Sequence, residues 1–256
     1  MPQFTKLTGV TFTDTSLPIL RDLGEGVANL PDLSAWVNAN PNNYYLDQLG
    51  NLALKDLSPA GADFVIASNR SKGPSVSLGA LSGYNVVSFA GNDGDTGGMQ
   101  RSVSDAPVGA DAEMTFAAVI RVTGNLNSNH NLVTTGQSNI GVPMYATNSA
   151  QRLGISTPDV NTVQDADLTK WAIVIGSISG GSVKLLSPVD LETISQSTGA
   201  DYNTSSAVYL GQNNSTSSHL VGDVAELIVT YSDLLAEGNA YHLRNLLDYW
   251  KAKFGV

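Results

Sequence analysis

The C-terminal part of the chain, from about residue 207 onward, constrains the fold more than any other segment. Residues 207–211 and 222–230 are apolar, β-branched runs separated by a polar loop, which is the pattern of two strands. One amphipathic segment follows and runs almost to the last residue. Because strand-like sequence fills most of the chain before it, this order predicts a two-sheet β-sandwich closed by one helix.

The terminal helix is predicted over about 233–254. Its apolar residues recur at spacings of four and three and form one stripe, made of Ala236, Ala240, Leu243, Leu247, Trp250 and Phe254. Ser232 or Asp233 can cap its start, and Gly255 follows its end. A single stripe buries against a single surface, so we expect the helix to lie across an edge or face of the sandwich. Its two large aromatic residues would then plug the core.

Short strand-like segments recur through the middle of the chain without helical segments between them. The clearest are 114–122 and 170–175, which are β-branched or aromatic runs bounded by turn residues. Gly180 and Gly181, between two such segments, indicate a hairpin turn. This pattern predicts antiparallel sheets packed face to face, an all-β jelly-roll sandwich. The candidate strands are 62–68, 75–79, 84–90, 113–123, 130–136, 151–156, 170–178, 181–186, 206–212 and 218–231.

Residues 1–30 do not share this pattern and are predicted to form an extended N-terminal arm. Proline and glycine interrupt their apolar residues repeatedly, at Pro18, Gly24 and Gly26. Two alternatives stay open: the arm lies on its own domain, or it docks on a neighbouring molecule and serves assembly. The second alternative would make the protein a homo-oligomer. The sandwich, with its helix, is predicted to span 31–256.

The composition excludes several classes of partner. Charged residues make up 14% of the chain, against about 25% in an average soluble domain, so Ser, Thr, Asn, Gln and Gly must form the polar surface. The net charge is −10 and Lys and Arg do not cluster, so we expect neither nucleic-acid binding nor attachment to an anionic membrane. Cysteine is absent, which excludes disulfides and thiolate zinc sites. The first residues do not have the pattern of a signal peptide.

Three segments carry a family resemblance. Residues 33–39 read LSAWVNA, similar to an opening L-x-A-W-L-D-A, and residues 85–95 read NVVSFAGNDGD, similar to P-x-V-x-F-D-G with Ala90 in place of the aspartate. Residues 222–229 read GDVAELIV, and the chain ends LDYWKAKFGV, similar to G-x-I-A-E-I-I-V-Y and a helix ending Y-L-x-x-K-W-G-I. Together they resemble the concanavalin A-like (laminin-G-like) lectin/glucanase superfamily, in the versions found in tailed-bacteriophage particle proteins. This sandwich hosts enzymes, lectins and inert structural modules, so the resemblance implies a fold over 31–256 rather than an activity.

The sequence lacks the residues expected of an enzyme on this fold. The resemblance implies that a glycosidase would carry an E-x-D-x-x-E carboxylate set, because retaining hydrolysis needs two carboxyls about 5–5.5 Å apart. Glu226 lies in an apolar strand, where the family has a structural residue, and the bare acidic pairs are Asp111/Glu113, Asp165/Asp167 and Asp190/Glu192. A G-x-S-x-G elbow is also absent. Three isolated histidines lack ligand spacing and are expected in loops, at strand edges or off the helix stripe: His130, His219 and His242. We therefore predict that the protein is not an enzyme.

One loop has the chemistry of a calcium site. Asn92, Asp93 and Asp95 bring side-chain oxygens together in a tight segment with Gly94, and calcium takes six to eight oxygen ligands. The alternative is a plain hairpin turn, since Asn, Asp and Gly are also the residues typical of turns. No other cofactor is expected.

Tyrosines in loop-like sequence are the candidates for sugar binding. Sites of this kind combine an aromatic platform with Asn and Asp side chains, and the candidates are Tyr44, Tyr45, Tyr145 and Tyr202. The alternative is that these tyrosines are half-buried packing residues. The three tryptophans are expected in the core, namely Trp36, Trp171 and Trp250.

The leading hypothesis is a non-enzymatic structural protein of a bacteriophage particle, either a capsid decoration or a tail or fibre component. It would lie at the virion surface and would be made in the host cytoplasm without a signal peptide. Its partners would be other virion proteins, bound through residues 1–30. The alternative is a carbohydrate-binding module for host or environmental glycans, assisted by calcium. The two roles can coexist in one protein.

Overall fold

The computed structural model describes residues 23–68, 70–91, 97–101, 113–124, 130–135, 142–146, 152–156, 161–187, 190–197, 207–212 and 219–256. Within these ranges the chain forms strands β1–β17, helices α1 and α2, and a 3₁₀ turn before α2. In chain order the elements are α1 (Leu23–Ala28), β1 (Leu33–Asn38), β2 (Tyr44–Leu46), β3 (Leu52–Leu54), β4 (Val65–Ile66), β5 (Ser75–Leu81), β6 (Tyr84–Ala90), β7 (Met99–Arg101), β8 (Met114–Val122), β9 (His130–Thr135), β10 (Val142–Ala146), β11 (Arg152–Ser156), β12 (Asn161–Asp165), β13 (Ala172–Ser179), β14 (Ser182–Leu186), β15 (Thr193–Ser197), β16 (Val208–Leu210), β17 (Val221–Thr230), the 3₁₀ turn (Glu237–Asn239) and α2 (Ala240–Phe254).

The strands form two large sheets and a small hairpin. The first sheet has eight strands, in the order β15-β14-β13-β8-β17-β6-β5, with β1 paired to β17 as well. The second has seven strands, in the order β12-β11-β10-β9-β16-β7-β4. Strands β2 and β3 form the hairpin, and a bridge between Leu54 and Phe64 joins it to the chain entering β4. The pairings in the described ranges are antiparallel, so the prediction of an all-β antiparallel sandwich with a C-terminal helix is confirmed.

The main core lies between the two sheets. Alternate residues of β8, among them Phe116 and Ile120, face Val133 of β9 and Leu210 of β16 across it. A second core lies on the outer face of the eight-stranded sheet. There the intervening residues of β8, such as Val119, pack against the helices. Strand β8 is therefore buried on both faces, which explains its almost unbroken apolar sequence.

Helix α2 supplies the second core rather than plugging the main one. Trp250 and Phe254 are buried against the outer face of the eight-stranded sheet, so the helix lies across a face as expected, but these residues fill the second core and not the core between the sheets. The helix ends as predicted: Gly255 has φ 73°, and its N–H donates to the carbonyl oxygen of Lys251 at 3.0 Å. Within the described residues, no helix is long and apolar enough to cross a membrane.

The helix starts later than predicted, at Ala240 instead of 233. The backbone N–H of Leu234 donates to Thr115 Oγ1 at 3.0 Å, and that of Leu235 donates to Asp233 Oδ1 at 3.0 Å. These bonds fold the segment into a turn tied to β8, and a 3₁₀ turn through Gly238 follows it. Asp233 thus caps a turn instead of the helix.

The N-terminal part of the structure differs from the extended arm that was predicted. Residues 23–28 form α1, which packs on α2, and Val27 and Leu30 are buried in the second core. Residues 23–30 therefore belong to the sandwich. The rest of the predicted arm, residues 1–22, lies outside the described residues.

The β-branched and aromatic candidate segments were predicted as strands correctly, whereas several short or polar strands and the more apolar strands β1 and β10 were missed. The Gly180–Gly181 hairpin joins β13 to β14 as expected, with both glycines at positive φ. Residues 38–45 contain the end of β1 and the start of β2. The strands without a candidate are β1, β2, β3, β7, β10, β12 and β15.

Candidate functional site

The outer face of the seven-stranded sheet carries a row of aromatic and polar side chains. Strand register places Val65 opposite Gln100, Gln100 opposite Tyr209, and Tyr209 opposite Thr134. The hairpin extends this row, because Tyr45 pairs with Ala53 and the Leu54–Phe64 bridge sets Ala53 beside Val65. We call Tyr45, Val65, Gln100, Tyr209 and Thr134 the outer row.

Alternation along each strand fixes the direction of these side chains. Their neighbours in sequence, Phe64, Met99, Leu210 and Val133, lie in the main core between the sheets. Successive side chains of a strand point to opposite faces, so the outer row points away from that core. Both described helices pack on the other sheet, so neither of them covers this face.

Exposure falls steeply along the outer row. Tyr45 and Val65 are 39% and 38% exposed, Tyr209 is 8% exposed, and Thr134 is 2% exposed. Gln100 lies between these extremes. The row therefore runs from an exposed rim on the hairpin to a centre on β9 and β16 whose side chains are buried, and we call this buried part the recessed centre.

At the rim, hydrogen bonds orient the exposed tyrosine. The Tyr45 hydroxyl donates to Asp63 Oδ2 at 2.9 Å, and Asp63 Oδ1 accepts from the backbone N–H of Asp56 at 3.1 Å. The bond to Asp63 raises the pKa of Tyr45 above its ordinary value. The ring is thus a protonated, fixed aromatic surface at neutral pH.

Beyond the recessed centre, a second tyrosine lies on the same face. Tyr145 of β10 pairs with Asn131 of β9 and with Gly154 of β11. A Cβ added at Gly154 would lie 2.5 Å from Tyr145 Cζ, so the tyrosine ring lies directly against the glycine. Burial also raises the pKa of Tyr209. The face therefore combines phenol rings, amides and a hydroxyl, groups that hydrogen-bond and stack without carrying charge.

The structure separates the predicted site residues. Tyr45 and Tyr145 lie on the outer face, whereas Tyr44 packs against the main core. Tyr202 and the proposed calcium ligands Asn92, Asp93 and Asp95 lie outside the described residues. The described residues contain no cluster of three or more His, Asp or Glu arranged to hold a metal ion.

Tyr209 was not among the predicted site residues, although the sequence carries a signal for it. The run AVYLG has Val208 and Leu210 on either side of the tyrosine, and both are buried in the main core. In a strand with two inward aliphatic residues, the residue between them faces outward. Strand alternation could therefore have identified Tyr209, whereas its partners Gln100 and Thr134 require the sheet register.

A second polar cluster, around Glu226, lies beneath α2. A β-bulge between Val224 and Glu226 turns the carboxylate toward the helix. The carboxylate is fully buried and accepts hydrogen bonds from five side chains: Trp36 at 2.5 Å, Tyr249 and Trp250 at 2.9 Å each, Lys253 at 3.1 Å, and Asn38 at 3.3 Å. All five donors belong to β1 or α2. Glu226 therefore fastens the helix to the sheet, in agreement with its expected structural role.

The tryptophans and histidines occupy structural positions. Trp250 is fully buried as predicted, whereas Trp36 and Trp171 are partly buried at the second core. His130 and His219 are buried, and His219 Nε2 accepts a hydrogen bond from Arg70 Nη2 at 2.7 Å. Their predicted place in loops or at strand edges did not anticipate this burial.

No protein-family model and no curated protein matches the sequence. Several solved structures have a similar fold. The receptor-binding domain of botulinum neurotoxin D aligns with a TM-score of 0.57 at 11% identity, over 85% of this chain and 53% of that chain. Trypanosoma rangeli sialidase aligns with a TM-score of 0.56 at 11% identity, over 90% of this chain and 37% of that chain. The botulinum neurotoxin serotype D ligand binding domain in complex with N-acetylneuraminic acid aligns with a TM-score of 0.53 at 12% identity, over 86% and 53%.

This likeness shows the fold. At such low identity the shared property is the β-sandwich, and this chain spans about half or less of the length of each structure, from 37% to 53%. The likeness is compatible with the sandwich that the motifs predicted. The concanavalin A-like assignment and the bacteriophage origin stay predictions.

Proposed function

We propose that this protein is a non-enzymatic carbohydrate-binding β-sandwich whose glycan lies along the outer row of the seven-stranded sheet. The observation that carries the proposal is the row itself, in which Tyr45, Gln100, Tyr209 and Thr134 share one face. A sugar ring presents C–H groups to an aromatic ring and hydroxyls to amide or hydroxyl groups at its edge, and this face offers both.

The comparisons add support at the level of the fold. One similar structure is a botulinum neurotoxin receptor-binding domain, and another holds N-acetylneuraminic acid. The second is an example in which a domain of similar fold holds a sugar. The residues of the outer row belong to this chain, so the proposal rests on its own geometry.

The absence of catalysis is part of the proposal. Glu226, a fully buried carboxylate, is occupied by five donors, and we assign it to structure. The test is to incubate each bound glycan with the protein and to analyse it by mass spectrometry. Intact glycan is the expected result, and shortened products would show that the protein is an enzyme.

The biological setting that we propose is the surface of a bacteriophage particle, as a capsid decoration or a tail or fibre component. The motif resemblance and the low charge content support it. In this setting the N-terminal arm docks the sandwich on other virion proteins or on sister subunits, and Asn92, Asp93 and Asp95 bind calcium. Because residues 23–30 belong to the sandwich, the arm is tested by removing residues 1–22 only. Light scattering should show an oligomer that becomes a folded monomer, whereas a monomer in both forms would contradict self-assembly through the arm.

A glycan screen tests the binding function. Labelled protein is applied to immobilised neutral and acidic glycans with and without chelator, and Tyr45→Ala is compared with the wild type. We expect specific binding that falls about three- to tenfold in the variant, the size of one lost aromatic contact. Tyr241→Ala is the matched control, because Tyr241 is 65% exposed on α2, away from the outer row. No binding by the wild type, or equal losses in the two variants, would contradict the proposal.

A further inference from the structure

The hydroxyl of Thr134 is one of the few buried side-chain polar groups in the described residues that lack a hydrogen-bond partner. Thr134 is 2% exposed, and its Oγ1 makes no hydrogen bond. Buried hydroxyls are almost always paired, since leaving one unpaired costs the full desolvation of that group. An unpaired hydroxyl in the middle of a sheet therefore requires an explanation.

The position of Thr134 in the sheet explains why its hydroxyl is unpaired. Thr134 lies opposite Tyr209 at the recessed centre of the outer row, and its neighbour Val133 faces the main core. Its side chain therefore points to the outer face of the sheet, and its Oγ1 is itself buried there. We propose, on the basis of the function proposed above, that Thr134 is a ligand-binding residue whose hydroxyl is kept unpaired to bond a hydroxyl of an uncharged sugar.

The charges around the site specify the ligand class. The described outer-face side chains from Val65 through Tyr145 are neutral, namely Val65, Gln100, Tyr209, Thr134, Asn131 and Tyr145. Carboxylate-bearing sugars are bound by Arg or Lys, usually through charge-assisted hydrogen bonds. Outside the described ranges, the segments from residue 69 onward contain neither Lys nor Arg, whereas residues 1–22 contain Lys6 and Arg21.

Three cations near this face form bonds within the protein. Arg152 forms an ion pair with Asp165 at 3.2 Å on the outermost strands of the sheet. Arg70 donates to Gln212 Oε1 at 3.2 Å, near the end of β16. At the rim, Lys55 Nζ donates to the carbonyl oxygen of Asn42 at 3.0 Å. Among the described residues no cation belongs to the outer row, and an acidic sugar would approach a protein of net charge −10, so we infer a preference for neutral sugars.

Thr134→Val tests the role of the hydroxyl, because it removes that group and keeps the shape. The probes are maltohexaose, laminarihexaose, triacetylchitotriose and lactose, with sialyllactose as the acidic counterpart of lactose. We expect Thr134→Val to lower the affinity for the best neutral probe about three- to tenfold, the loss of one neutral hydrogen bond. Its unfolding midpoint should equal or exceed that of the wild type, since no protein hydrogen bond is lost.

Thr115→Val is the matched control. Thr115 is buried on the other sheet and donates to the carbonyl oxygen of Ser232 at 2.7 Å, so its variant should be less stable and bind normally. Unchanged affinity in Thr134→Val, or a loss of stability like that of Thr115→Val, would overturn the role of Thr134. Tighter binding of sialyllactose than of lactose would overturn the neutral ligand class alone. If the wild type binds none of the probes, the proposed function itself fails and this inference fails with it.

Discussion

Replacing Glu226 by glutamine should destabilise the protein severely while leaving its fold intact. The side chain keeps its shape, but one oxygen becomes an amide N–H₂ that cannot accept a hydrogen bond. Glu226 Oε2 accepts from Trp250 at 2.9 Å and Lys253 at 3.1 Å, and Oε1 accepts from the other donors. Whichever oxygen is replaced, at least two buried donors then face the amide group.

The magnitude follows from the burial of the pair. The side chains of Lys253 and Glu226 are 10% and 0% exposed, so the variant leaves a nearly buried ammonium without its counter-charge. Removing one partner of a buried ion pair costs about 3–5 kcal/mol. The total stability of a domain is about 5–15 kcal/mol, so the variant should fold with a much reduced margin.

The assay is urea unfolding, monitored by circular dichroism and by tryptophan fluorescence. The fluorescence reports on Trp36 and Trp250, which lie beside the carboxylate. Asp165→Asn is the control, because the Arg152–Asp165 pair is 60% and 89% exposed and should contribute under about 1 kcal/mol. The double variant Glu226→Gln/Lys253→Met should recover part of the loss, since no charge stays unpaired. A cost for Glu226→Gln no greater than that of Asp165→Asn would refute the role of the buried carboxylate.

Gly154→Ala would displace the Tyr145 ring, which lies 2.5 Å from the new Cβ, and should cost about 1–3 kcal/mol in urea unfolding and weaken glycan binding. The pKa of Tyr45 is raised by its bond to Asp63, so this bond should persist at neutral pH and be lost as pH rises through the raised pKa; Asp63→Asn should lower that pKa in an ultraviolet titration. Hydrogen bonds to Asp47, the largest contribution coming from the Asn51 backbone N–H, lower the pKa of this carboxyl. The hairpin stability that they provide should therefore be complete above about pH 4 and lost as pH falls through the lowered pKa. NMR of the hairpin amides as a function of pH measures this loss.

Each of these predictions has a clear contrary result. Wild-type stability and binding in Gly154→Ala would mean that the Tyr145 ring is not held against β11. If Asp63→Asn leaves the pKa of Tyr45 unchanged, the hydrogen bond to Asp63 does not orient the tyrosine at the rim. If the NMR signals of the hairpin amides do not change as the pH is lowered, Asp47 does not hold the turn.

The sequence predicts the class of fold because its strongest patterns are local. The stripe from Leu243 to Phe254 and the glycine after it predict the terminal helix and its end, since both depend on spacing along one segment. The continuous apolar sequence of β8 carries one further signal, burial on both faces, which points to a helix on the outer side of its sheet. Polar strands such as β12, NTVQD, and β15, TISQS, have no such pattern and depend on their partners in the sheet.

The site is harder to predict because it depends on register between distant segments. Tyr44 and Tyr45 are adjacent in the chain and of the same residue type, but Tyr44 packs against the main core and Tyr45 lies on the rim. Their difference is set by the pairing of β2 with β3, which determines the face each side chain occupies. Gln100, Thr134 and Tyr209 meet only because β7, β16 and β9 are neighbours in the sheet.

The most direct test of the glycan site is an NMR titration of isotope-labelled protein with the neutral oligosaccharide that binds most tightly among the probes. The account predicts that the largest amide shift changes fall on β4, β7, β16 and β9, the strands that carry the outer row from Val65 to Thr134. Changes confined to α2 and the outer face of the eight-stranded sheet would contradict the account, because they would place the glycan on the opposite side of the sandwich.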